Sequence, residues 1–118
     1  MSNIEVEHWN SGRIKILEIY NDKNELHNTE GPAVQFWHAN GQEARREFFI
    51  NGYFNNTEGP AVIGWDENGR ETFRVYYIND VEYTEEEFYR PKDTVEVSAE
   101  GGKTVRISRR IARALNLI

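Results

Sequence analysis

Asn28-Thr29-Glu30-Gly31-Pro32-Ala33-Val34 is repeated without change 28 residues later, as Asn56-Thr57-Glu58-Gly59-Pro60-Ala61-Val62. Other landmarks recur at intervals of 28 to 30 residues. Trp9, Trp37 and Trp65 are spaced 28 and 28 apart, and a turn signal follows each: Asn10-Ser11-Gly12, Asn40-Gly41 and Asn68-Gly69. Eight residues beyond each of those glycines stands an aromatic, Tyr20, Phe49 or Tyr77. A second turn signal follows at Asn21-Asp22, Asn51-Gly52 and Asn79-Asp80. So many coincidences at nearly one offset define an internal repeat. A unit this short cannot bury a hydrophobic face alone, so successive copies have to stack on one another.

Asn-Gly flanked by alternating apolar residues is a hairpin signal, because a type I′ turn needs φ > 0 at both central positions. Gly31-Pro32 and Gly59-Pro60 punctuate the chain again, and Pro can open a strand but not sit inside one. The spacing predicts strands over roughly 13–20, 33–37, 43–50, 61–65 and 71–78. Alternation puts Phe73, Val75 and Tyr77 on one face with Arg74 and Tyr76 on the other. In the shorter strand it sets Ala33 and Trp37 against Val34 and Phe36. The expected fold class is mainly β: an antiparallel meander of stacked β-hairpin repeats with a period of 28 residues, carrying a small ββα C-terminal appendage.

The third copy breaks off. Where the heptapeptide is due, the chain reads Thr84-Glu85-Glu86-Glu87-Phe88-Tyr89. Thr84 with Glu87 three residues on fits a capping box, and acidic residues suit the first turn of a helix. A short helix is therefore expected to close the array within a first domain, residues 1–91. Arg90-Pro91-Lys92-Asp93 reads as a linker. The second domain, residues 92–118, holds a hairpin of Val95–Val97 with Thr104–Ile107 around Glu100-Gly101-Gly102. Ser108 is placed to cap a last helix from Arg109 to about Leu117, with Ile107, Ile111, Ala114, Leu115 and Ile118 as its apolar stripe.

The run Leu26-His27-Asn28-Thr29-Glu30-Gly31-Pro32-Ala33-Val34, followed by Trp37, Asn40-Gly41-Gln42 and Phe49-Ile50-Asn51-Gly52, resembles the degenerate MORN-type repeats of antitoxin-like bacterial proteins. Similar repeats occur in phages and large DNA viruses, and the resemblance covers roughly residues 9 to 83. It implies stacked β-hairpins in a twisted sheet, a protein-binding or scaffolding role, sometimes toxin neutralisation, and no catalytic residues.

Composition narrows the chemistry. The 118 residues contain no cysteine, which excludes disulfides, thiol nucleophiles and thiolate metal sites. Aromatic residues make up 13%, far above a disordered composition, although mean hydropathy is only −0.77. No apolar run is long enough to span a bilayer, and Met1–Asn10 lacks the basic and apolar regions of a secretory leader, so a cytoplasmic protein is expected. Charge is uneven. Residues 93–118 carry five cations against three carboxylates, a net of +2, and the preceding 92 residues hold −8. An acidic body disfavours non-specific attachment to DNA or to an anionic membrane.

Catalytic patterns are missing. His8, His27 and His38 share no helical or strand spacing that would assemble a metal site. Gly101-Gly102-Lys103-Thr104 lacks the earlier glycine of a phosphate-binding loop, and no nucleophile elbow is present. The expectation is a non-enzyme with neither metal nor cofactor. Too many aromatics crowd one small sheet for a single core, and Trp and Tyr supply large contact area at low entropic cost. Phe36, Trp37, Phe48, Trp65 and Tyr76 are therefore candidate partner contacts. Arg109, Arg110 and Arg113 are further candidates, because cations in the first turn of a helix oppose its dipole. They either pair with the acidic body or meet an acidic partner or nucleic acid. The expected function is non-catalytic protein binding: an inhibitor or antitoxin-like protein, including a phage-encoded blocker of a host defence protein such as a nuclease. The alternative is a nucleic-acid module acting through the Arg-rich helix.

Overall fold

The structure, a computed structural model, describes residues 3–90 and 94–118, and of Arg110 the backbone alone. The expected linker lies, beyond Arg90, outside the described residues. The chain forms two compact units that part between Phe88 and Tyr89.

The first unit is a seven-stranded antiparallel meander. It contains β1 (Asn3–His8), β2 (Ile14–Tyr20), β3 (Val34–Trp37), β4 (Glu43–Glu47), β7 (Val62–Trp65), β8 (Glu71–Ile78) and β9 (Val81–Tyr83), in the order β1-β2-β3-β4-β7-β8-β9. The tight hairpin β5 (Phe49–Ile50) and β6 (Tyr53–Phe54) interrupts it. Two sheet strands exceed the expected five. In β1, Ile4 and Val6 alternate with Glu5 and Glu7, and the strand pairs with β2 from Asn3↔Tyr20 to His8↔Ile14. β9 returns on β8 through Tyr76↔Tyr83 and Ile78↔Val81. The expected strand 43–50 divides at Phe48, whose N–H donates to the Ala61 carbonyl while its own carbonyl accepts from Asn55.

Two kinds of tight turn join strands within hairpins, and longer segments carrying the heptapeptides join β2 to β3 and β6 to β7. After β1, β3 and β7 the loops share one pattern. Trp9 N donates to Arg13 O and Gly12 N to Trp9 O, His38 N to Gln42 O and Gly41 N to His38 O, Asp66 N to Arg70 O and Gly69 N to Asp66 O. These are three-residue loops that end on a left-handed glycine, Gly12, Gly41 and Gly69 at φ 94°, 91° and 83°. The expected type I′ geometry at Asn40-Gly41 and Asn68-Gly69 is thereby corrected, since only the glycine of each pair is left-handed. Type I′ turns occur instead at Asn51-Gly52 (φ 49° and 83°) and Asn79-Asp80 (φ 48° and 66°).

The loop pattern also corrects the tryptophan alignment. Trp9 precedes its turn glycine by three residues, whereas Trp37 and Trp65 precede theirs by four. Trp9 thus occupies the turn position of His38 and Asp66. Trp37 and Trp65 share a place at the ends of β3 and β7, each just past a register shift and facing Glu43 or Glu71.

Strand register assigns the two faces. Ile16, Phe36, Arg45, Gly64 and Phe73 form one cross-strand row, and Glu18, Val34, Glu47, Val62 and Val75 the next, on one face. Leu17, Gln35, Arg46, Ile63 and Arg74 form a row on the other. On the first face Val34 and Phe49 are buried with Ala33, and Ile16, Leu26, Phe36 and Phe54 pack around them. Phe54 bridges Phe49 and Tyr77, with ring centroids 4.2 and 5.0 Å away. The segments between strands therefore cover this face, and burying these rings is the main apolar gain of the unit.

α1 (Glu85–Tyr89) forms where the third heptapeptide would stand. Thr84 Oγ1 accepts from Glu87 N at 3.1 Å and Glu87 Oε1 accepts from Thr84 N at 2.9 Å, a reciprocal capping box.

The second unit holds β10 (Thr94–Ser98), β11 (Thr104–Ser108) and α2 (Arg109–Ala114). The strands pair antiparallel from Thr94↔Ser108 to Ser98↔Thr104, joined through Gly101 and Gly102 at φ 78° and 73°. Ser108 Oγ caps α2 by accepting from Ile111 N at 3.2 Å. The helix stops earlier than Leu117 because Asn116 turns left-handed, φ 57°. The expected apolar stripe is also corrected. Among the described side chains of α2 Ala112 is the buried one, while Ile111, Leu115 and Ile118 are more than half exposed.

Candidate interaction surface

Hydrogen bonds couple each repeat to the next, and they recur at equivalent positions. Trp9 Nε1 donates to the Trp37 carbonyl at 3.1 Å, and His38 Nε2 donates to the Trp65 carbonyl at 2.9 Å. His27 Nδ1 accepts from Asn51 N at 2.9 Å, and 28 residues on Asn55 Oδ1 accepts from Asn79 N at 3.0 Å. Asn28 N donates to Phe49 O, and Asn56 N to Tyr77 O. Inside each heptapeptide loop the asparagine accepts from the glutamate amide and donates to the proline carbonyl: Asn28 with Glu30 and Pro32, Asn56 with Glu58 and Pro60. The copied residues thus hold copied loops. His27 and His38 are engaged in this scaffold, and among the described residues no three His, Asp or Glu side chains converge as a metal site would require.

The two heptapeptide loops form the walls of a cleft of about 550 Å³. Asn28, Thr29 and Gly31 line one wall, residues 55–59 the other, and Phe48 and Ile50 lie between them. Ala61 has its N–H bonded to Val75 O and its carbonyl to Phe48 N, which sets it in the ladder between Phe48 and Tyr76. Smaller clefts flank the tryptophans. His8, Trp9 and Lys15 line one, Arg13, Ile14, Trp37 and Gly41 a second, Gln42, Glu43, Arg46 and Trp65 a third.

Two arginines on this side of the sheet are neutralised by carboxylates of their own strand. Arg46 makes a two-pronged ion pair with Glu43, at 2.7 and 2.8 Å, and its guanidinium stands 5.2 Å over the Trp65 ring. Arg74 grips Glu71 in the same way at 2.9 and 2.6 Å. The Arg74 hydrogen bonds hold the Glu71 carboxyl below its usual range, and the same pairing raises Arg74. Asp66 is likewise lowered, because the backbone amides of Arg70 and Asn68 donate to it. Lys15 stands 4.7 Å over Trp9. Guanidiniums already bidentate to carboxylates are poorly placed to read phosphate.

The candidate residues fall in different settings. Phe48 lines the large cleft, and Trp37 and Trp65 line smaller ones. Phe36 belongs instead to the packed face, against Ala33, Val34 and Phe49. Tyr76 is a correction: it is 2% exposed, covered by Phe88 at a ring-centroid distance of 4.7 Å, and its hydroxyl donates to Glu85 Oε1 at 2.9 Å. Burial removes it from any partner contact. Arg109 and Arg113 lie on α2 in the second unit, Arg109 partly buried and Arg113 exposed, and the Arg110 side chain is outside the described residues.

Sequence reasoning missed the loop residues themselves. Thr29, Thr57 and Glu58 line the cleft, and the signal that could have found them was the unchanged heptapeptide. Compared with protein-family models, curated proteins and solved structures, the chain matches none.

Proposed function

We propose that the protein is a non-catalytic protein-binding module that works through its repeat sheet, as an inhibitor or antitoxin-like binder. The observation that carries this reading is the cleft walled by two identical heptapeptide loops around Phe48 and Ile50. It combines an apolar base with hydroxyl, amide and carboxylate groups at its sides, the makeup of a protein contact patch. Ion-paired arginines on the same side and an acidic body favour a protein partner over phosphate. The resemblance to antitoxin-like repeats supports inhibition as the role, including blockade of a host defence protein such as a nuclease inside a cell. An acidic chain can do this by competing for a basic groove.

Affinity capture with the full chain, followed by titration of the captured protein against purified chain, tests the reading. The expected result is a saturable complex, with no mobility shift of DNA or RNA at the same chain concentration. Salt-sensitive binding to nucleic acid without any protein complex overturns it and assigns the function to Arg109, Arg110 and Arg113.

A further inference from the structure

The chain contains two versions of the same recess, and it fills one of them itself. Phe48 and Ile50 recur 28 residues later as Tyr76 and Ile78, and the wall at residues 55–59 recurs as residues 83–87. At the second position α1 replaces the heptapeptide loop, lays the Phe88 ring on Tyr76 at 4.7 Å and sets the Glu85 carboxylate against the tyrosine hydroxyl. At the first position, among the described residues, no ring stacks on Phe48, and the cleft of about 550 Å³ stands between the loops.

The first recess differs from the second in two ways that define its occupant. Phe48 has no hydroxyl, so an acidic group there would find no donor corresponding to that of Tyr76. Glu58 lines the cleft and Glu30 stands in the facing loop. Both are exposed and carry no ion pair among the described residues. From this internal template, and resting on the protein-binding reading above, we infer that the cleft receives a short helical segment of a partner protein. The segment inserts one aromatic side chain onto Phe48, as Phe88 does onto Tyr76. Lys or Arg residues flank that aromatic and meet Glu30 and Glu58. The aromatic supplies area in a desolvated pocket, and the flanking cations supply orientation and on-rate.

The test uses the full chain and a lactam-stapled helical peptide with one Phe flanked by lysines, alongside its Phe→Ala and Lys→Glu counterparts. Two-dimensional amide NMR is the readout. Saturable shifts at Thr29, Phe48 and Thr57 are expected, with each counterpart peptide binding at least about tenfold more weakly. Thr57→Trp narrows the cleft from an exposed position that has no hydrogen-bond partner among the described residues, and it should weaken binding about tenfold or more; Phe48→Ala is the second variant should Thr57→Trp lose its native spectrum. Shifts confined to the Trp37 or Trp65 clefts, or to Ile111 and Leu115, overturn the inference, as does equal affinity for the lysine and glutamate peptides. Sedimentation showing a dimer that Thr57→Trp abolishes gives the cleft to a second copy and overturns it too. A captured protein that binds parent and Thr57→Trp equally sinks the cleft but leaves the protein-binding reading standing. Failure to form any protein complex sinks that reading, while the peptide titration still decides whether the cleft takes an aromatic helix.

Discussion

Single positions in the two copies show what each place in the repeat requires. His27 and Asn55 are different residues with one task, accepting the backbone N–H of Asn51 or Asn79. The requirement is an acceptor at a fixed height, not an imidazole. His27→Asn should therefore leave the thermal midpoint nearly unchanged, whereas His27→Leu, which removes the acceptor, should cost about 1 kcal/mol in urea unfolding. Equal losses in both variants would show that the imidazole ring matters for packing instead. A second exchange couples neighbours. Phe36 faces Arg45 in the first copy, and 28 residues on Gly64 faces Phe73, so the aromatic has moved to the adjacent strand. A Cβ on Gly64 would clash with the Phe73 ring. Gly64→Ala must displace that ring from beneath Arg45, whose guanidinium lies 5.4 Å from it.

At the scale of elements, α1 ends the repeat array by substituting for a loop. Its short length would leave it unstable in isolation, so tertiary contact has to support it. The capping box starts the helix and Phe88 anchors it on Tyr76. Phe88→Ala should cost about 2 kcal/mol, less than a fully buried phenylalanine because Phe88 is only half-buried. Thr84→Ala should cost about 1 kcal/mol. The two losses should fall short of additive, since both act on the same contact, and a double variant in urea measures this. Full additivity would mean that the cap and the ring stabilise separate structures.

For the whole molecule, burial is concentrated in one unit. Among the described residues, Ala33, Val34, Phe49, Ala61, Val62 and Tyr76 are buried in the first unit, against Ala112 in the second. A chain ending at Arg90 should melt within a few degrees of the parent, and the isolated segment from Tyr89 should show no cooperative transition by circular dichroism, being too short to bury a core. A large drop in the melting midpoint of the longer fragment would refute this. The first unit also has an alkaline limit. Burial, with the neighbouring Glu18 adding to it, pushes the Tyr20 phenol up to about 12, above the value of 10 it has unfolded. Stability linked to this group is full below pH 10 and is lost as pH rises through about 12. Tyr20→Phe should flatten that part of the alkaline unfolding curve.

The sequence by itself determined the repeat, the antiparallel strands, the capping box at Thr84 and the C-terminal hairpin with its Ser108 cap. Each depends on backbone chemistry spanning a few residues: alternation over a strand, an Asn or Gly that tolerates positive φ, a hydroxyl three residues from an amide. Strand β1 was legible in the same way, through Ile4-Glu5-Val6-Glu7, but it lay ahead of the first tryptophan landmark. Only the tertiary structure decided that Trp9 stands in the place of His38, because one residue fewer before the turn shifts every later partner by one. It alone showed that Tyr76 is covered while Phe48 lines a cleft, although the two occupy the same position in the repeat. Burial is set by what arrives from another segment. At Tyr76 that segment is Phe88 of α1, and at Phe48 an unchanged heptapeptide loop takes its place.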